Sequence, residues 1–86
     1  MKKLIAYDLN NKADEFIRGL RTDGFEVASE GHVYSKKKGS YTLGFFDKGY
    51  FFVRPTNGMS ETDVSERSKL IKIAEDFGMK GDAIID

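Results

Sequence analysis

Apolar positions along this 86-residue chain recur at two spacings, and glycines mark most of the changeovers. Ala13, Phe16, Ile17 and Leu20 follow the three-and-four spacing of an amphipathic helix, as do Val64, Leu70, Ile71, Ala74 and Phe77. Between Phe25 and Val53 apolar and polar residues instead alternate, the period of a half-buried strand. Ser29-Glu30-Gly31, Lys37-Lys38-Gly39 and Asp47-Lys48-Gly49 interrupt the alternation, each placing a glycine where a turn needs positive φ. Three such turns predict four antiparallel strands, at about residues 25–28, 32–36, 40–46 and 50–54.

The flanks complete the pattern. Lys2 to Tyr7 lacks helical spacing and stops at Asp8, so it reads as a leading strand. Asn10 and Asn11 are N-cap residues by type, and Gly24-Phe25 supplies a left-handed helix end with a hydrophobe folding back. Pro55 has no N–H for a ladder and ends the fourth strand of the meander. Ser60-Glu61-Thr62-Asp63 forms a capping box with aspartate at the third helical position, and Gly78-Met79 repeats the glycine-plus-hydrophobe stop. Ala83-Ile84-Ile85 fits either a last edge strand or a frayed tail. The expected architecture is α+β over a single domain, residues 1–86. Two helices pack on one face of a four- to five-stranded, mainly antiparallel meander, β-α-β-β-β-β-α.

Alternation also sorts the strand residues between two faces. Phe25, Val27, Val33, Tyr41, Leu43, Phe45, Phe51 and Val53 form an apolar set expected beneath the helices. Glu26, Ala28, His32, Tyr34, Lys36, Thr42, Gly44, Phe46, Tyr50, Phe52 and Arg54 form the other. A glycine bulge would shift the facing by one residue and exchange Phe45 and Phe46. Two helices cannot cover both faces, so the second set should stay open.

Composition narrows the partner. Net charge is zero, but residues 31–54 carry a balance of +4, against −1 for residues 1–30 and −3 for residues 60–86. An open face bearing Tyr34, Phe46, Tyr50 and Phe52 beside Lys36, Lys37, Lys38 and Arg54 suits unpaired RNA or single-stranded DNA: bases stack on rings while cations hold phosphates. The same rings suit a protein partner. The absence of cysteine excludes disulfide and thiolate-zinc scaffolds. No apolar run is long enough to span a bilayer. A cytoplasmic protein, monomeric or homodimeric, follows as the expectation.

His32, the only histidine, is the candidate catalytic base. Asp8, with Asp82 and Asp86, could be imagined at a cation, but their spacing matches no metal loop. No motif calls for a cofactor. Helix, Gly24-Phe25-Glu26-Val27, Gly31-His32-Val33-Tyr34, a strand ending at Pro55 and a helix ending Phe77-Gly78-Met79 together resemble the HicA-type toxins. Those are small ribonucleases of double-stranded-RNA-binding-like fold, in which Gly-Ser-His is usual where this chain has Gly31-His32. The resemblance implies that His32 cleaves messenger RNA and that Lys36 to Lys38 lie along it. Leu4-Ile5-Ala6-Tyr7-Asp8 is similar to the first strand of the ferredoxin-like VapD nucleases. The functional expectation is a small nucleic-acid-binding module. An interaction or inhibitor protein of the kind phages and plasmids encode is the alternative, and a ribonuclease using His32 is a third.

Overall fold

A computed structural model describes residues 3–35 and 42–85, and these form two helices against one six-stranded antiparallel sheet. The chain runs β1 (Lys3–Asp8), α1 (Ala13–Thr22), β2 (Phe25–Val27), β3 (His32–Ser35), β4 (Thr42–Asp47), β5 (Tyr50–Val53), α2 (Glu61–Asp76) and β6 (Gly81–Ile85). The second turn of the sequence pattern, Lys37-Lys38-Gly39, lies outside the described residues.

Strand order across the sheet is β2-β3-β4-β5-β1-β6. The meander therefore ends not at β5 but against the leading strand, through Ile5 opposite Val53 and Tyr7 opposite Phe51. The C-terminal segment is a strand rather than a tail. β6 pairs with the free side of β1, from Lys3 opposite Ile85 to Tyr7 opposite Gly81. With β1 lying between β5 and β6, these strands and α2 make a split β-α-β unit, the arrangement of ferredoxin-like sheets widened here by one hairpin.

Local chemistry sets the element ends. Ser60 caps α2: its Oγ accepts from the Asp63 N–H at 3.2 Å, while Asp63 Oδ2 accepts from the Ser60 N–H at 3.3 Å. Gly24 and Gly78 take φ of +95° and +89° just past the two helices. Asn10 and Asn11 do not cap α1. Both adopt left-handed backbone, φ +50° and +62°, and turn the chain so that Lys12 begins the helix without a side-chain cap. Asparagine tolerates that conformation better than most residues. Lys48 and Gly49 are both left-handed in the β4–β5 connection, a two-residue type I′ hairpin.

The core lies between the helices and one sheet face. Phe16 and Leu20 of α1 and Leu70 and Ala74 of α2 are fully buried against Val33, Leu43, Phe51 and Val53. Phe16 is its hub, with rings of Phe51, Phe77 and Phe46 edge-on at 5.1, 5.5 and 6.0 Å. Val64 falls outside this stripe and is exposed; Asp63 and Glu66 are buried on α2 instead, Glu66 holding Lys69 at 3.0 Å.

One register shift decides the facing. Val33 opposes Gly44 while Tyr34 opposes Thr42, leaving Leu43 as an extra residue in β4. Gly44 is buried, and a Cβ there would collide with the Phe52 carbonyl oxygen and press on the Phe51 ring at 3.1 Å. Phe46 consequently turns to the helix side, 4.8 Å from Phe51, and Phe45 to the other. The two phenylalanines exchange the places that simple alternation assigns them.

Candidate docking face

The face away from the helices is open, and its side chains fall into rows set by the strand register. One row runs His32, Phe45, Phe52, Ala6, Asp82 across β3, β4, β5, β1 and β6. The next runs Asp47, Tyr50, Asp8, so the Tyr50 ring stands between two aspartates, each directly across from it. Phe45 and Phe52 stack at 5.1 Å with planes 23° apart, and Tyr50 continues the ribbon 6.1 Å from Phe52. Tyr50 is 44% exposed; Phe45, Phe52 and Tyr34 are half-buried by their neighbours alone.

The ribbon borders a cleft of about 460 Å³ at the β1 and β6 end, lined by Ala6, Asp8, Tyr50, Phe52, Lys80 and Asp82. Ala6 makes a small floor. Asp8 is held in place by the turn it begins, its Oδ1 accepting the Asn10 N–H at 2.9 Å. Gly81 brings β6 in close, since a Cβ there would stand 2.8–2.9 Å from the Tyr7 ring and Ile5 Cγ2. A larger hollow of about 590 Å³ lies on the helix side, beside Phe46 and between α1 and the β2–β3 turn. It mixes Arg18 and Arg21 with Asp14 and Glu30, and Arg21 is spent on the Val27 carbonyl at 3.0 Å. It collects no aromatic ribbon.

The sequence-predicted site divides. Tyr34, Tyr50, Phe52 and Arg54 share the open face, and Arg54 offers its carbonyl to Arg67 Nε. Phe46 does not: the bulge has turned it into the core. Lys36, Lys37 and Lys38 lie outside the described residues. His32 is exposed on the face, with Glu30 3.7 Å from its Nδ1 and the Tyr34 ring edge-on at 6.3 Å. Neither neighbour is a serine or cysteine that the imidazole would activate. Among the described residues no three His, Asp or Glu side chains converge to hold a metal ion, and no helix is long and apolar enough to cross a membrane.

Plain alternation assigned Phe45 to the core, with a glycine bulge as the route to the opposite facing, and Gly44 was the available signal, because a glycine inside a strand often marks a bulge. Of the acids on this face it placed only Glu26. Asp8, Asp47 and Asp82 join Glu26 there, against Arg54 and Lys80 among the described residues. On the opposite side, burial raises the proton affinity of the Tyr7 hydroxyl above the ordinary tyrosine value. The Glu75 carboxylate adds to the rise and Arg67 opposes it.

No protein-family model, curated protein or solved structure matches the chain.

Proposed function

We propose that this domain is a binding module that docks a protein partner on the aromatic ribbon of its open sheet face. The observation that carries the reading is the set of rows: stacked rings, with Asp47 and Asp8 each directly across from Tyr50. Rings of this kind dominate the energetics of protein interfaces. A buried aromatic side chain covers about 150–250 Å². With 44% of Tyr50 exposed, covering that ring alone contributes about 2 kcal/mol at roughly 25 cal/mol per Å².

Charge separates this partner from a nucleic acid. A phosphate about 4 Å from Asp8 or Asp47 meets a repulsion on the order of 1–4 kcal/mol, between the bulk-water and near-surface limits. The +4 balance of residues 31–54 favours nucleic acid, and three of its cations, Lys36 to Lys38, lie outside the described residues. Cleavage through His32, as the HicA resemblance implies, is the further alternative.

Selection of displayed peptides against the full chain tests the reading. Selected peptides should bind the native protein and lose at least tenfold in affinity to both Phe52→Ala and Tyr50→Ala, with each variant's melting curve confirming that it is folded. A labelled single-stranded oligonucleotide at low and high salt is the counter-test. Salt-sensitive binding that depends on Phe52 would transfer the face to nucleic acid and refute the protein reading.

A further inference from the structure

We infer that the cleft beside Tyr50 is the anchor pocket of this docking face, and that it receives an arginine side chain from the partner. The inference rests on the protein-docking reading and adds the chemistry of the bound group. The cleft pairs two surfaces that a guanidinium uses together. Tyr50 and Phe52 supply ring surface over which the planar cation stacks. Asp8 and Asp82 supply carboxylates for its forked N–H groups. The register places them around the rings: Asp8 is directly across from Tyr50, and Asp82 is across Ala6 from Phe52 in the same row.

Three further features fit that guest. Ala6 keeps the floor shallow enough for an aliphatic stem to lie along it. Asp8 is preorganised by the Asn10 N–H, which leaves its second carboxylate oxygen available. Lys80 lines the same cleft, yet no ion pair joins it to Asp8 or Asp82 among the described residues, so neither acid is already neutralised. The cleft keeps a net negative charge with Lys80 included, which an acidic or phosphorylated segment would find repulsive. Lysine would meet the carboxylates but forgo the planar stack, so the pocket should prefer arginine.

The probe is a blocked Gly-Arg-Gly tripeptide titrated into the isotope-labelled full chain, with the citrulline tripeptide as its uncharged isostere. Amide shifts should cluster at residues 6–8, 50–52 and 80–82, with a millimolar affinity fitting for one side chain. Citrulline should bind at least tenfold more weakly, Asp8→Asn with Asp82→Asn should cost a similar factor, and Lys80→Ala should tighten binding. Asp76→Asn, on the far side in α2, is the control and should change nothing. Equal binding of arginine and citrulline, or shifts gathered elsewhere, would overturn the inference. Should that occur while selected peptides still require Phe52, only the arginine anchor falls. Peptides indifferent to Phe52 and Tyr50 would remove the docking reading beneath it as well.

Discussion

Truncating Phe45 and Phe46 one at a time gives opposite answers under the two possible facings of β4. Plain alternation puts Phe45 in the core and Phe46 outside; the bulge at Leu43 reverses them. In the folded protein Phe46 touches Phe51 at 4.8 Å and Phe16 at 6.0 Å, and both of those rings are fully buried. Phe→Ala in a closed core costs about 3–5 kcal/mol. Phe46 is half-buried, so roughly half of that, about 2 kcal/mol, is expected, including two aromatic pairs worth about 0.5–1.5 kcal/mol each when ideally placed. Phe45 is also half-buried but stands on a face open to water with one stacked partner, Phe52; truncation there leaves no enclosed cavity, so Phe45→Ala should cost about 0.5–1 kcal/mol. A chain of this size is stable by about 4–13 kcal/mol, so both variants should fold. In urea, with a slope of about 1.5 kcal/mol per molar, Phe46→Ala should lower the midpoint by about 1.3 M and Phe45→Ala by about half that or less. Peptide binding should respond the other way, weakened by Phe45→Ala and left alone by Phe46→Ala. Equal losses, or a larger loss for Phe45→Ala, would refute the bulge and with it the composition of the open face.

Other outcomes follow from single contacts. Ser60→Ala removes the Oγ that accepts the Asp63 N–H and should cost about 1 kcal/mol, read as a drop of roughly 0.7 M in the urea midpoint at the slope used above; no drop would show the capping box to be energetically idle. Gly81→Ala forces a methyl against the buried Tyr7 ring and Ile5, at about 1–3 kcal/mol, and should speed amide exchange through β6 before the rest of the sheet, an ordering whose absence refutes the close approach. The fold favours protonated Tyr7, whose affinity for its proton is raised by burial and by Glu75, so its contribution is present below the ordinary tyrosine value near 10 and is lost as pH climbs through the higher folded value. Tyr7→Phe should therefore flatten the alkaline loss of stability in melts at pH 8 and pH 11, and an unchanged slope assigns that loss to other groups.

How much of this was written in the chain varies by level. Periodicity located both helices, because Phe16, Leu20, Leu70 and Ala74 keep their spacing whatever they pack against. Glycine chemistry located the turns at Gly31 and Gly49, since positive φ is a local requirement. Facing failed at one point only. Alternation counts residues, and a bulge adds one without changing composition, so Phe45 and Phe46 were indistinguishable until Gly44 was seen lying against the Phe52 carbonyl and the Phe51 ring. The two asparagines misled for a related reason: Asn serves equally as an N-cap or as a left-handed turn residue, and Asp8 selected the turn by taking the Asn10 N–H.

The acids of the open face were hidden at a deeper level, because their placement depends on strand order. Counted along the chain, residues 31–54 are basic, and a meander closed on itself would present that balance to a ligand. Inserting β1 between β5 and β6 changes the neighbours without changing a residue. Asp8 arrives beside Tyr50, and Asp82 arrives one strand further on, from positions 42 and 32 residues away from it in the chain. Lys48, counted among the basic residues of the hairpins, sits in the tip of the β4–β5 turn and belongs to no row. The electrostatics of an open sheet face are therefore a property of its topology. With β6 pairing directly against β5, Tyr50 would lose Asp8 as its cross-strand neighbour. The order β5-β1-β6 is what brings Asp8 and Asp82 to the ribbon, and the proposed arginine anchor rests on that order.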